Sequence, residues 1–398
     1  MKFSHPFLFL SACLIAFASC DKLGPLEPAD NEILDGPLQG LSAEEQAQFL
    51  AGDIAFNDEI FTSANGLGPI FVGTSCGGCH AGDGKGHPFI AFKRFGQSDT
   101  TGNQFLDQGG PQLQHKALPG FQPEQIPAGA SFTTLLAPAV TGLGFLDAVP
   151  DADLIALADP DDADGDGISG RPHWNTIPDF VQTRPGSISQ GNRYISRFGK
   201  KGAAYDLLHQ TVGAYSEDIG ITSVFAPIDV YSGLEIDPEI STQTIHDVVA
   251  YLKTLKAPIP REEDDQDVLA GKLIFSDIEC ATCHTPTMTS GPSDIEALSN
   301  KEFHPYSDLL LHDMGPGLDD GYTEGYALTS EWKTPPLWGL GLSENSQGGS
   351  IFLMHDGRAQ SIEEAILLHG GEAENSKNNY AQLSSSEKQQ LLKFLRSL

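Results

Sequence analysis

At 398 residues the chain is long enough for two domains with separate cores. Its formal charge of −31 makes nucleic acid an unexpected partner, because phosphate binding needs clustered Lys and Arg, and suits solubility, cation binding or a basic redox partner instead. The 43 glycines and 26 prolines point to long loops around a modest number of helices.

Residues 1–20 read as an export signal. One Lys precedes an apolar run of signal length, too short for a good membrane span, which ends FASC at Cys20. This ending resembles a bacterial lipoprotein signal, whose cysteine becomes the lipidated first residue; Phe17 departs from the small aliphatic residue usual there, and an ordinary cleaved signal is the alternative. Nothing after Cys20 reads as a transmembrane helix, so lipid is the expected anchor, on the periplasmic side of either membrane. Residues 21–44 are expected to form a flexible linker.

The stretch LSAEEQAQFLAGDIAFNDEIF has a helical pattern and leads to Cys76-Gly-Gly-Cys79-His80. Far downstream, TIHDVVAYLKTLKAP carries Val248, Val249, Leu252 and Leu255 as one apolar stripe, stopped by Pro258 and Pro260. The charged run REEDDQD then links to a second unit. That unit opens VLAGKLIFSDIEC, carries Cys280-Ala-Thr-Cys283-His284, and closes SSSEKQQLLKFLRSL with Leu391, Leu392 and Leu395 as its stripe. A helix before each motif and a helix ending each unit is the plan of a cytochrome c. The expected fold is mainly α: two cytochrome c-like domains, residues 45–260 and 261–398, the first enlarged by long loop-rich insertions.

Cysteine arithmetic narrows the chemistry. Cys13 falls inside the signal and Cys20 goes to the lipid, so the remaining four cysteines form two C-x-x-C-H triplets with none left for a structural disulfide. Two thiols at this spacing add to the vinyl groups of haem, and the adjacent imidazole takes one face of the iron. A thioredoxin-type pair has no use for the histidine, and a zinc site would hardly repeat the triplet in two units. Two covalent haems c are expected, with His80 and His284 as axial ligands.

Within the first unit, DPDDADGDGISG alternates Asp162, Asp164 and Asp166 before Gly167 and Ile168, as in a calcium loop, with His173 where the twelfth-position Glu would stand. Calcium is the expectation and a solvated acidic turn the alternative. The only methionines after Met1 are Met288, Met314 and Met354, all in the second unit. The first haem therefore has an open sixth position or a histidine from among His87, His115, His173 and His209. In the second unit Ser361 and Glu364 form a capping box, and Ile362, Ala365, Ile366 and His369 fall on one helical face.

The segments GLGPIFVGTSCGGCH, TGLGFLDAVP, DGDGISGRPHW, RFGKKGA, YSDLLLHDMGPGL, TPPLWGLG and FLMHDGRAQSIEEAILLHGGEA together resemble the bacterial di-haem oxidoreductase family, from about residue 45 onward. The family is similar, more distantly, to di-haem cytochrome c peroxidases. The resemblance implies an exported redox protein. It places Gln114 and Glu124, ten residues apart, in the distal pocket of the first haem, with Glu124 as proton shuttle for peroxide. It makes His369 the distal ligand of the second haem, ahead of Met354 and Met314. His312, Asp313, His355, Asp356, Arg358, Arg193, Arg197 and Lys200 are candidates for loops and haem propionates, and Trp174, Trp332 and Trp338 for lying between the haems. The function implied is an oxidoreductase of peroxidase type. A small donor protein, cytochrome or cupredoxin, would reduce the second haem, which passes electrons to the first. The alternatives are an electron carrier with both irons six-coordinate, and a redox partner of a surface iron-uptake system.

Overall fold

The computed structural model describes residues 28–398. It is helix-rich, and its short strands pair into small antiparallel ribbons that pin loops together.

Two crossed helix pairs carry the two cores. Helix Ala43–Asp53, opened by a capping box between Ser42 and Glu45, crosses helix Thr242–Thr254. Gly52 sits at the crossing; a Cβ there would run into the Asp247 carbonyl and come within 2.6 Å of Tyr251 Cβ. Helix Gln266–Asp277 crosses helix Ser385–Ser397 in the same way, with Gly271 against the Gln390 carbonyl and Phe394. The sequence repeats accordingly: Leu50-Ala51-Gly52 with Phe56, and Leu269-Ala270-Gly271 with Phe275. Phe56 packs on Tyr251 at 5.4 Å between ring centres, and Phe275 on Phe394 at 5.5 Å. The glycines let two backbones approach so that an aromatic pair seals the junction.

The larger apolar cluster joins Phe49, Leu154, Leu207, Val248 and Leu252. It also takes in Met288, Phe303, Leu309 and Trp338 from beyond residue 261, so the later part of the chain completes the earlier core. The smaller cluster joins Val268, Phe275, Tyr380, Leu391 and Leu395.

The described part of the expected linker is packed. Leu34 and Leu41 are buried, Leu38 N–H donates to the Thr254 carbonyl at 2.7 Å, and Lys256 pairs with Asp30. Two leucines and a paired charge hold residues 30–41 against the end of helix Thr242–Thr254, so this part of the expected linker is packed, and residues 21–27 lie outside the described residues. Cys20 and the signal lie outside the described residues.

Two helices widen into a π turn: Ile54–Asp58 after the first, and Ala214–Ile219 after helix Leu207–Gly213. Such turns occur often at functional sites. Both border the cavity described next.

Candidate functional site

Each C-x-x-C-H triplet is a tight turn that turns its histidine inward. Ser75 Oγ accepts from the Gly78 N–H at 3.1 Å and starts the turn Cys76–Cys79; His80 N–H closes it on the Cys76 carbonyl at 2.9 Å. The second triplet closes alike, His284 N–H donating to the Cys280 carbonyl at 3.0 Å. His80 Nδ1 lies 2.8 Å from the Pro138 carbonyl, and His284 Nδ1 3.0 Å from that of Tyr306. A carbonyl can only accept, so the proton sits on Nδ1 and Nε2 keeps its lone pair. Burial holds both imidazoles at about 4, hence neutral. Phe56 and Phe275 flank the two rings.

Both triplets line one continuous cavity of about 530 Å³ with mostly apolar walls. None of the four cysteines forms a disulfide. Burial pushes Cys76 and Cys280 up to about 12 and Cys79 to about 11, so these are neutral thiols rather than reactive thiolates. The helix Ile362–Leu368 starts at Ser361, whose Oγ accepts from Glu364 N–H, while the Glu364 carboxylate reaches the Gln360 N–H one residue before the expected partner. At its end His369 lines the cavity with Nδ1 2.7 Å from the Ala365 carbonyl, again leaving Nε2 as the lone-pair nitrogen. Met354 and Met314 also line the cavity; Met288 is buried in the larger apolar cluster instead.

The four first-unit candidates for the sixth position differ. His209 Nδ1 accepts from the Tyr205 N–H at 3.2 Å, and His87 Nδ1 from the Phe89 N–H at 3.1 Å, so their protons sit on Nε2. His173 is held at both nitrogens, by the Lys201 carbonyl and the Tyr326 N–H. His115 does not line the cavity.

Three lysines, Lys85, Lys200 and Lys333, reach the cavity wall with no acidic partner within 4 Å among the described residues. Burial, then the charges of Lys85 and Lys333, lowers Lys200 to about 7, and burial lowers the other two to about 8. Three cations crowded around an apolar hollow fit a flat apolar group that carries carboxylates. Lone-pair imidazoles, paired neutral thiols, apolar walls and unpaired ammoniums together match haem. Arg197 is occupied elsewhere, pairing with Asp151 and donating to the Val149 carbonyl, and Arg193 stacks over Tyr326.

A polar wall closes the N-terminal end. Arg94 reaches Glu217 at 2.9 Å and Glu324 at 3.0 Å, and Gln112 donates to Asp218. Burial, with Glu217 beside it, raises Asp218 to about 7 against the opposing pull of Arg94. Gln114 and Glu124 are not on this wall, which corrects the expected distal pair. Glu124 accepts the backbone N–H groups of Gln114 at 2.7 Å and Gly110 at 3.1 Å, and the Gln114 amide donates to the Glu217 carbonyl at 2.9 Å. They brace the loop behind the wall. Gln112, two residues earlier, faces the cavity, and Asp218 was not legible because it comes from a distant π turn.

Among the remaining candidates, His312 lies between Asp308 at 2.8 Å and Glu372 at 2.7 Å, 3.6 Å from Cys283. The carboxylates outweigh burial and raise it to about 12, so it sits as a cation between them. Arg358 pairs with Asp356, and His355 stacks on Trp332 at 3.7 Å. Trp332 and Trp338 line the cavity; Trp174 does not. In the acidic loop the carboxylates that converge are Asp159, Asp162 and Asp164, with Asp166 instead accepting from the Ile168 N–H.

A family model described as "di-haem oxidoreductase, putative peroxidase" matches residues 134–398, two thirds of the chain, beginning after the first triplet. No curated protein matches. Solved structures resemble the chain loosely. Hydrazine synthase of Kuenenia stuttgartiensis is 15% identical over 99% of this chain and 100% of its own, with a TM-score of 0.41. A MauG-like protein associated with microbial copper homeostasis is 15% identical over 92% and 93%, TM-score 0.40. The diheme peroxidase BthA of Burkholderia thailandensis is 16% identical over 88% and 86%, TM-score 0.41.

Proposed function

Because the chain belongs to the di-haem oxidoreductase family, we propose that it is an exported c-type peroxidase that reduces hydroperoxides at its N-terminal haem. Cys76 and Cys79, and Cys280 and Cys283, would hold the haems of two cytochrome c-like domains, residues 45–260 and 261–398. His80 and His284 would bind the irons through Nε2, and Lys85, Lys200 and Lys333 would neutralise the propionates. When bound, haem supplies, in the C-terminal site, an electron store filled by a small cytochrome or cupredoxin and, in the N-terminal site, the iron at which the oxygen–oxygen bond is cleaved.

The chain's own residues divide the work. One observation carries the reading: His369 offers a lone-pair nitrogen to the C-terminal end, whereas none of the candidates His87, His115, His173 and His209 offers one to the N-terminal end. Two histidine ligands suit electron storage, and a site with one suits an incoming oxidant. Reduction of a hydroperoxide to an alcohol and water consumes two electrons and two protons. Asp218, poised at about 7 on the wall, takes a proton from the arriving hydroperoxide and returns it to the departing oxygen. Gln112 orients that carboxylate, and Arg94 holds the neighbouring Glu217. Thioether links at both sites, a lipid on Cys20, attachment to the periplasmic side of a membrane, and calcium at Asp162 and Asp164 with Asp159 complete the proposal.

Electron paramagnetic resonance of the purified holoprotein tests it. The expected spectrum has one low-spin and one high-spin ferric haem, with catalytic consumption of hydrogen peroxide. Two low-spin haems without peroxide turnover would instead identify an electron carrier.

A further inference from the structure

We propose that an open pocket beside Arg94 is the entrance for the oxidant, that the Arg94–Glu324 ion pair is its gate, and that it admits small neutral hydroperoxides, organic ones included. The substrate class rests on the peroxidase reading above; the entrance itself does not.

The pocket holds about 500 Å³ and opens to solvent where the two halves of the chain meet. Residues 94–111 and 175–178 form one side and residues 322–325 the other. Gln97 ties the sides together, its amide donating to the Gly325 carbonyl at 2.8 Å and its own carbonyl accepting from the Thr323 N–H at 3.0 Å. Arg94, Ala203, His209 and Glu324 line both this pocket and the N-terminal end of the cavity. The partition between solvent and the polar wall is therefore one side chain thick.

Its chemistry selects the visitor. The Arg94 guanidinium is matched by two carboxylates, Glu217 at 2.9 Å and Glu324 at 3.0 Å, so the floor offers no free cation to an anion. His209, the remaining polar group there, is neutral, its affinity for protons lowered to about 4 by burial and then by Arg94. Anionic oxidants are disfavoured at such a floor in so acidic a chain, and neutral hydroperoxides are not. The volume far exceeds what hydrogen peroxide needs, and Leu106, Ile177 and Pro178 give it apolar surface for an alkyl group.

Glu324 bonds to Arg94 from the opposite half of the chain, so slight separation of the halves breaks that latch while Glu217 keeps Arg94 in place. A passage then opens beside Asp218.

Alkyl isocyanides binding to the reduced holoprotein test the entrance without peroxidase activity. Leu106 and Thr176 are exposed at the mouth and touch neither haem motif. In a Leu106→Trp, Thr176→Trp double variant, association of tert-butyl isocyanide is expected to slow about tenfold and that of methyl isocyanide much less, with absorption spectrum and melting temperature unchanged. Glu324→Gln is expected to speed both. Equal rates in parent and double variant, or no isocyanide binding in the parent, would overturn the entrance. A parent that binds isocyanides through this mouth but consumes neither tert-butyl hydroperoxide nor hydrogen peroxide would keep the entrance and overturn the substrate class.

Discussion

At His80, His284 and His369 a backbone carbonyl accepts from Nδ1–H, and at His87 and His209 a backbone N–H donates to Nδ1 instead. Under the proposed haem reading a donor imidazole meets a carbonyl at Nδ1 and keeps Nε2 free, a condition that His173, held at both nitrogens, also fails, and that condition yields two predictions. His369→Ala should convert the low-spin haem to high spin, seen as loss of its low-spin resonance; His369→Met should raise its potential in a redox titration, since thioether ligation favours the reduced iron. Asp218 accepts a proton only when ionised, so peroxide consumption should rise as pH passes upward through about 7. Asp218→Asn should erase that limb of the profile and slow the reaction about 10²–10⁴-fold. That the triplets and His369 face one cavity was legible because the signal is local, three consecutive residues or the stripe of one helix, while a ligand role for His369 came only from the family resemblance. Asp218 was not, because sequence spacing says nothing about a wall assembled from strand Phe92–Phe95, the loop at Gln112 and a π turn. The same spacing selected Gln114 and Glu124, whose hydrogen bonds turn them inward to the loop.

At the level of elements, Gly52 and Gly271 fix how closely the crossed helices approach. Gly271→Ala should force the Gln390 carbonyl and Phe394 away and lower the melting temperature, with a cost of about 1–3 kcal/mol or more for overpacking. Because Phe275 lies between that crossing and His284, the absorption of the C-terminal haem should shift as well. An unchanged melting temperature would rule out the close crossing. The apolar stripes of both terminal helices were legible from period alone: Val248, Leu252, Leu391 and Leu395 are all buried. The completion of the first core by Met288, Phe303 and Trp338 was not, since those residues follow no helical period and only long-range packing places them there.

For the whole molecule, Glu372 is a junction. It accepts from Ser169 N–H at 3.1 Å and from Asp313 N–H at 3.1 Å while pairing with the His312 cation. It thereby ties the acidic loop of the first unit to the second. Glu372→Gln leaves a buried charge without one partner and should cost about 3–5 kcal/mol, read from denaturant unfolding. Glu372 is lowered to about 2 and His312 raised to about 12. The glutamate's contribution is therefore present above its ordinary carboxylate range and lost as pH falls toward 2. The histidine's is full below its ordinary range near neutrality and lost as pH rises toward 12. The variant should show a flatter acid limb. Reduction by a small basic donor protein should slow as ionic strength rises, because a charge of −31 steers it electrostatically. Finally, the strap of residues 30–41 shortens any leash. With Asp30 and Leu34 fastened to the body, the lipid proposed for Cys20 would be at most about 35 Å of chain away. A body held that close to a bilayer would keep its Asp30–Lys256 face toward the headgroups, and a soluble donor would have to approach from the sides or from above.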